Sequence, residues 1–167
     1  MKDVTVREFD AQDNEADREQ LLAAFLDIWN AEENLRFLSF TLRPFEKDIV
    51  RRWLESHKDQ GGRFLCAEDE NGHVVGICIA KIDSVEGFEI HGLGVRPGFK
   101  RRGVGRILLE RTISLAADLG FRSVDADVFA DNPAMLRLLL SLDFLPVGMD
   151  FRKRADGADI LRLRRRL

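Results

Sequence analysis

The stretch from Glu89 to Arg106 holds most of the residues able to do chemistry. It begins in the run Gly87-Phe-Glu-Ile-His-Gly-Leu-Gly-Val95, which reads as a strand. Glu89 and His91 stand two residues apart and therefore share a strand face, with Leu93 and Val95 continuing it. After the loop Arg96 to Phe99, Lys100-Arg101-Arg102-Gly103-Val104-Gly105 leads into a helix. A helix's first turn carries unpaired N–H groups and the positive end of the dipole. Gly103 and Gly105 withhold side chains where a ligand would approach the backbone. Lys100, Arg101, Arg102 and Arg106 add positive charge. The combination suits an anion, most naturally a diphosphate. The plainer alternative is a structural glycine turn beneath a solvated basic face. Other nucleotide sites fail on pattern. The chain has no Gly-x4-Gly-Lys-Ser/Thr, and the dinucleotide fingerprint lacks its third glycine because position 108 is Leu.

A carboxylate beside such a site can act as a general base toward a bound group. Glu89 suits that task, and also suits a solvated strand carboxylate. His91 is either an active-site group or a packed histidine. His57 and His73 sit in polar surroundings and read as surface residues. Asn132 precedes Pro133 and reads as a helix N-cap. Cys66 and Cys78 lie in apolar strands and read as buried thiols. They make no disulfide framework, no His/Cys group has metal-ligand spacing, and no metal is expected.

The elements that position these residues follow from periodicity. Val4 to Val6 is a first strand. A helix from Asp13 carries Leu21, Leu22, Phe25, Leu26 and Trp29. A second helix starts near Pro44, with Phe45, Ile49 and Trp53 on one face. Between them, Asn30 to Arg43 is irregular, yet its Phe37, Leu38, Phe40 and Leu42 imply a loop packed over something. Asn71-Gly72 joins two apolar strands in a hairpin. A two-residue turn pairs Cys66 with Ile77 and sends the two thiols to opposite faces. A helix from Val104 stops at Gly120. Ser123 to Val128 is a strand, and a fourth helix runs from Asn132-Pro133 to Leu142. Its leucines, Leu136, Leu139, Leu140 and Leu142, are core or an apolar ligand wall. A hairpin of Phe144–Phe151 and Ala158–Leu167 closes the chain, its last strand a charged edge.

The order β-α-α-β-β-β-α-β-α-β-β implies one α+β domain over 1–167. Its central mixed sheet, mostly antiparallel, is flanked by about four helices. With 45% apolar and 33% charged residues, the 167-residue chain is globular rather than disordered. A net charge of −3 gives no electrostatic reason to bind nucleic acid or an anionic membrane. No apolar run approaches the ~20 residues of a membrane span. Met1 to Asp10 has no secretory apolar region. A reducing cytoplasm is the expected location.

On these residues the chain resembles the GNAT superfamily of N-acetyltransferases. Lys100 to Gly105 is similar to the family's Arg/Gln-x-x-Gly-x-Gly/Ala pyrophosphate motif, with Lys100 departing from it. Leu93-Gly94-Val95-Arg96-Pro97 looks like Leu-x-Val-x-Pro. Asn132 to Phe144 looks like Asn-x-x-Ala-x-x-Leu-Tyr-x-Lys-x-Gly-Phe, matched at Asn132, Leu138 and Phe144 but not at Met135, Leu139, Ser141 or Asp143. Asp143 replaces a helix-ending Gly and must tolerate a left-handed conformation.

The resemblance implies acetyl-CoA as cosubstrate. Amides of Arg101 to Arg106 would hold its pyrophosphate. Its pantetheine arm would pair with the backbone at Leu93, Gly94 and Val95, and Asn132 would contact it. Glu89, or His91 beside it, would be the base in a direct attack by a primary amine on the thioester. The resemblance leaves the amine open among a small molecule, a peptide and a protein; dimers are common among similar proteins. The family's tyrosine acid falls at Leu139, and the chain has no tyrosine. Two other readings fit the same motifs: transfer from a different acyl-CoA, and a non-catalytic acyl-CoA-binding module.

Overall fold

The computed structural model describes residues 4–9, 14–83 and 87–167. Its strands are β1 Thr5–Phe9, β2 Arg63–Glu68, β3 Val74–Asp83, β4 Gly87–Val95, β5 Ser123–Phe129, β6 Leu145–Asp150 and β7 Ile160–Arg166. Its helices are α1 Glu15–Trp29, α2 Glu32–Leu38, α3 Lys47–Asp59, α4 Val104–Asp118 and α5 Pro133–Leu140. The strands form one sheet in the order β1-β2-β3-β4-β5-β7-β6. β4 and β5 run parallel, with α4 as the crossover, and the other neighbours are antiparallel. The expected α+β mixed sheet is present.

Several local expectations need correction. Five helices are described rather than four, because Asn30 to Arg43 contains α2. Glu32 and Glu33 at its start and Arg36 in its last turn suit the helix dipole. Seven residues are too few for a helical period to stand out. Asp13 lies outside the described residues; α1 begins at Glu15, and Asn14 Oδ1 accepts from the Asp17 N–H at 3.0 Å. Pro44 is not in the first turn of α3, which starts at Lys47. Asn30 fixes that approach instead. It accepts from the Phe45 N–H at 2.7 Å and donates to the Phe45 carbonyl at 3.0 Å. α5 stops at Leu140, and Asp143 takes the left-handed conformation expected of it (φ 62°).

The hairpin register is as expected, reached by another route. Cys66 faces Ile77, but three residues separate Asp69 and His73, whose N–H···O bond measures 3.0 Å. A register shift at Ala67/Glu68 compensates. The thiols therefore enter different cores. Cys78 joins Leu108, Val124 and Leu139 beneath α4, whereas Cys66 joins Phe25, Ile28 and Ile77 beneath α1. Burial pushes both thiols up to about 12, so neither is a nucleophile at neutral pH.

The final strand is not an edge. β7 inserts between β5 and β6, and β6 forms the edge. Nor is the basic run at 152–154 all solvated. Arg154 is 2% exposed and bonds both carboxylate oxygens of Asp131 (2.6 and 3.1 Å) and of Asp156 (2.8 and 2.9 Å). It also donates to the Arg36 carbonyl at 2.8 Å. Hydrogen bonds from Arg154 hold the Asp156 carboxyl down at about 2. Arg154→Leu should therefore lower stability by ~2–3 kcal/mol, since charged hydrogen bonds are lost and their partners must resolvate. Urea denaturation measures this, and Arg154→Lys should recover only part because one ammonium cannot serve both carboxylates bidentately.

Candidate functional site

β4 and β5 pair over three positions only, Phe88–Ile90 against Val124–Ala126. Beyond them the strands part, and a cavity of about 950 Å³ opens between α2, α3, α5 and the start of α4. Glu89, His91, Leu93, Val95, Lys100, Arg101, Gly103, Val104, Gly105, Arg106 and Asn132 all line it. Gly94 and Arg102 do not appear in that lining. Gly94 is packed from behind: a Cβ there would lie 2.6 Å from Ile28 and 2.8 Å from Trp29. Arg102 turns to the Phe99 ring, 5.5 Å from its centroid.

A bulge in β4 corrects the expected common face. Ile79 opposes Gly92 and Ala80 opposes Ile90, leaving His91 without an opposite residue. The alternation flips there. Leu93 and Val95 pack toward α4 with Phe88 and Ile90. His91 points the other way, stacked on Trp53 of α3 at 5.9 Å, and its Nδ1 lies 3.4 Å from Glu89 Oε1. Glu89 and His91 thus stand on the α1/α3 side of the gap and the glycine-bearing turn on the α4 side.

The turn has the features of an anion cradle. Gly103 has φ +83°, with no atom within 4 Å of an added Cβ. The first closed turn of α4 runs from the Ile107 N–H to the Gly103 carbonyl at 3.0 Å. The amides of Val104, Gly105 and Arg106 precede it and carry the helix's positive end. The Val104 side chain is 1% exposed and belongs to the core, so only its backbone can serve a ligand. Lys100 pairs with Glu33 at 3.1 Å, and Arg106 reaches Ser141 at 2.6 Å and Glu110 at 3.2 Å. These contacts are solvent-exposed and weak enough to yield to a phosphate.

Other residues of the site escape sequence reasoning. Asp127 of β5 lines the cavity beside Glu89. Burial, reinforced by Glu89, raises its carboxyl above the usual range. Asn34, 6% exposed, donates to the Ile28 carbonyl at 2.8 Å and the Val95 carbonyl at 3.0 Å, tying α2 to the end of β4. His57 is not a surface residue. It is 7% exposed, its Nε2 lies 3.1 Å from the Ala80 carbonyl, and Trp53 stacks on it at 5.0 Å. Its spacing from Val50 and Leu54 along the buried face of α3 is the signal that would have found it. Phe45, Ile49 and Trp53 face the cavity instead. Asn132 is the expected N-cap, accepting from the Met135 N–H at 3.2 Å, while also lining the cavity. Leu139 is fully buried in the core; Met135 and Leu138 form the α5 wall.

An open mixed sheet, a gap between parallel β4 and β5, and a glycine turn at that gap define an acetyltransferase-type architecture. Residues 19–144 match the model of the acetyltransferase (GNAT) family, and the chain belongs to that family. It is 30% identical over 149 residues to mycothiol acetyltransferase of Kytococcus sedentarius, covering 88% of this chain and 47% of that protein. The chain spans 34 to 47% of the length of the first curated relatives it matches. Among solved structures, ribosomal-protein-alanine N-acetyltransferase from Brucella melitensis superposes with a TM-score of 0.75 at 25% identity, over 98% of this chain and 99% of that one. YncA from Salmonella typhimurium, solved with acetyl-CoA, gives 0.72 at 25% identity, over 99% and 94%.

Burial lowers the pKa of His57 below its ordinary 6.5, although the Ala80 carbonyl opposes the shift. The unfolded chain then binds the proton more readily. The resulting stability is complete above pH ~6.5 and is lost as pH falls toward the folded value. Thermal melts between pH 7.5 and 5.5 should show this fall, and it should be smaller in His57→Gln, which keeps a donor for the Ala80 carbonyl.

Proposed function

We propose that the chain transfers the acetyl group of acetyl-CoA to a primary amine. The observation that carries the reading is the placement of the α4 amides and Glu89 on opposite sides of one gap. The acetyl-CoA-bound relative and the acetyltransferase names of the others support it. The pyrophosphate would rest on the amides of Arg101 to Arg106, with Arg101 and Lys100 beside it. The arm would run along Leu93 to Val95; the Val95 carbonyl, already bonded to Asn34, can accept through its second lone pair.

Glu89 takes a proton from the acceptor ammonium, with His91 Nδ1 3.4 Å away in position to pass it on. The amine nitrogen then bonds the thioester carbon, the C–S bond breaks, and CoA leaves as a thiolate. A backbone N–H near Leu93 stabilises the tetrahedral oxyanion. The chain has no phenol to protonate the sulfur. A thiol pKa near ~8.5 makes the thiolate a tolerable leaving group, and water or the new ammonium supplies the proton. A smaller polar cavity of about 340 Å³, also bordered by Glu89 and Asp127, connects these carboxylates with solvent. The described residues contain no helix long and apolar enough to cross a membrane, and the two free thiols suit a reducing cytoplasm.

Gly105→Glu places a carboxylate between Leu93 and Leu138, where an added Cβ would lie 3.6 and 3.4 Å from them. Calorimetry should then find acetyl-CoA affinity reduced by at least ~10-fold, with a folded protein by circular dichroism. Unchanged affinity would refute the cradle, and tighter binding of a longer acyl-CoA by the parent chain would change the donor. Glu89→Gln should lower turnover by ~10²–10⁴-fold with acetyl-CoA affinity retained. An unchanged rate at neutral pH would remove Glu89 from the mechanism.

A further inference from the structure

The cavity's charges and apolar surfaces are segregated. Its cations, Lys100, Arg101 and Arg106, all belong to the start of α4 or the residues just before it. The other half is walled by Phe37, Phe40, Phe45, Ile49, Trp53 and Phe129, and its floor carries Glu89 and Asp127. Among the described residues lining this half there is no Lys or Arg. Phe40 and Ile49 are 55% and 53% exposed at the rim, so apolar surface extends to the entrance. Lys81, Arg162 and Arg164 border the smaller cavity behind the carboxylates. Asp125 holds Arg164 there at 2.6 and 2.8 Å, and Asp127 faces Arg162 at 3.9 Å.

We infer that the acceptor is a cationic primary amine attached to an apolar or aromatic body with no carboxylate or phosphate beside the amine. The inference rests on the acceptor half of the site proposed above. The ammonium is drawn to Glu89 and Asp127, and the body is buried against the aromatic wall. An anionic group near the amine would lose water among aromatic rings while facing two like charges, with no Lys or Arg of that half to receive it. Arylalkylamines and peptides with an apolar N-terminal residue satisfy these terms. Acidic amino acids do not.

Binding tests this independently of turnover. Trp29 and Trp53, the chain's two tryptophans, both line the cavity, so their fluorescence reports its occupancy. With CoA at saturation, 2-phenylethylamine should bind saturably and at least about tenfold more tightly than glutamate. Ile49→Arg, on an exposed rim position of α3, should weaken 2-phenylethylamine about fivefold or more and narrow its advantage over glutamate. Acetyl-CoA affinity, read by calorimetry, should be unchanged in that variant. Glutamate binding as tightly as 2-phenylethylamine, or no saturable binding of the latter, overturns the inference. Thiol release from acetyl-CoA is measured separately. Binding in the expected order without thiol release would sustain the inference about the pocket while refuting transferase activity.

Discussion

Everything functional in this chain depends on β4 and β5 separating after three paired positions. A parallel pair that continued would close its backbone groups on each other, and no ligand could reach them. Separation leaves an edge of β4 inside the protein rather than at its rim. An unpaired edge is a template for another extended chain. Here the helices on both sides cover it, so the template admits something narrow and excludes a second strand. The bulge at His91 belongs to the same constraint. By reversing which residues face which layer, it puts Glu89 on one side of the opening and Leu93 and Val95 on the other.

Close packing keeps the opening in place. Gly94 lets Ile28 and Trp29 of α1 rest against β4, where an added Cβ would lie 2.6 Å from Ile28. Gly76 does the same for α4, with Leu108 and Val104 both 2.9 Å from an added Cβ. Glycines inside strands ordinarily weaken them. Here they permit two helices to approach a common strand pair from opposite faces, which fixes the start of α4 relative to Glu89.

Much of this was legible in the residues because local rules and tertiary structure agree. The glycine turn, the strand from Gly87 to Val95 and the Asn132 cap all obey short-range chemistry, whereas the hairpin register came out as expected only because a shift at Ala67/Glu68 offsets a longer turn. The failures share a cause as well. The β4 bulge depends on how β3 is registered against it, and nothing between Glu89 and Val95 announces an extra residue. α2 is too short for its period to emerge. β7 reads as an edge because its arginines alternate, yet they alternate to meet carboxylates such as Asp125 on the neighbouring strand. Arg154 sits in a basic run and is buried by partners from α2's end and the loop after β5. His57 was legible in the spacing of α3 and missed because its immediate neighbours are polar.

The roof of the cavity is pinned from two directions, and that bears on how the site opens. Asn34 ties α2 to the ends of α1 and β4 through two carbonyls. At the other end of α2, Arg154 holds the Arg36 carbonyl, and the Ala155 N–H bonds the Phe40 carbonyl at 2.8 Å. Arg36 itself reaches Asp131 at 2.9 Å, so one carboxylate serves both arginines. Phe37 lies between these anchors, and Phe40 carries one of them on its carbonyl. A short helix tied down at both ends cannot swing as a lid without breaking the Asn34 bonds and the charged bond from Arg154 to the Arg36 carbonyl. Side-chain rotation of the exposed Phe40 is far less costly. Adjustment at the mouth of the cavity therefore falls to rim side chains such as Phe40 rather than to the α2 backbone.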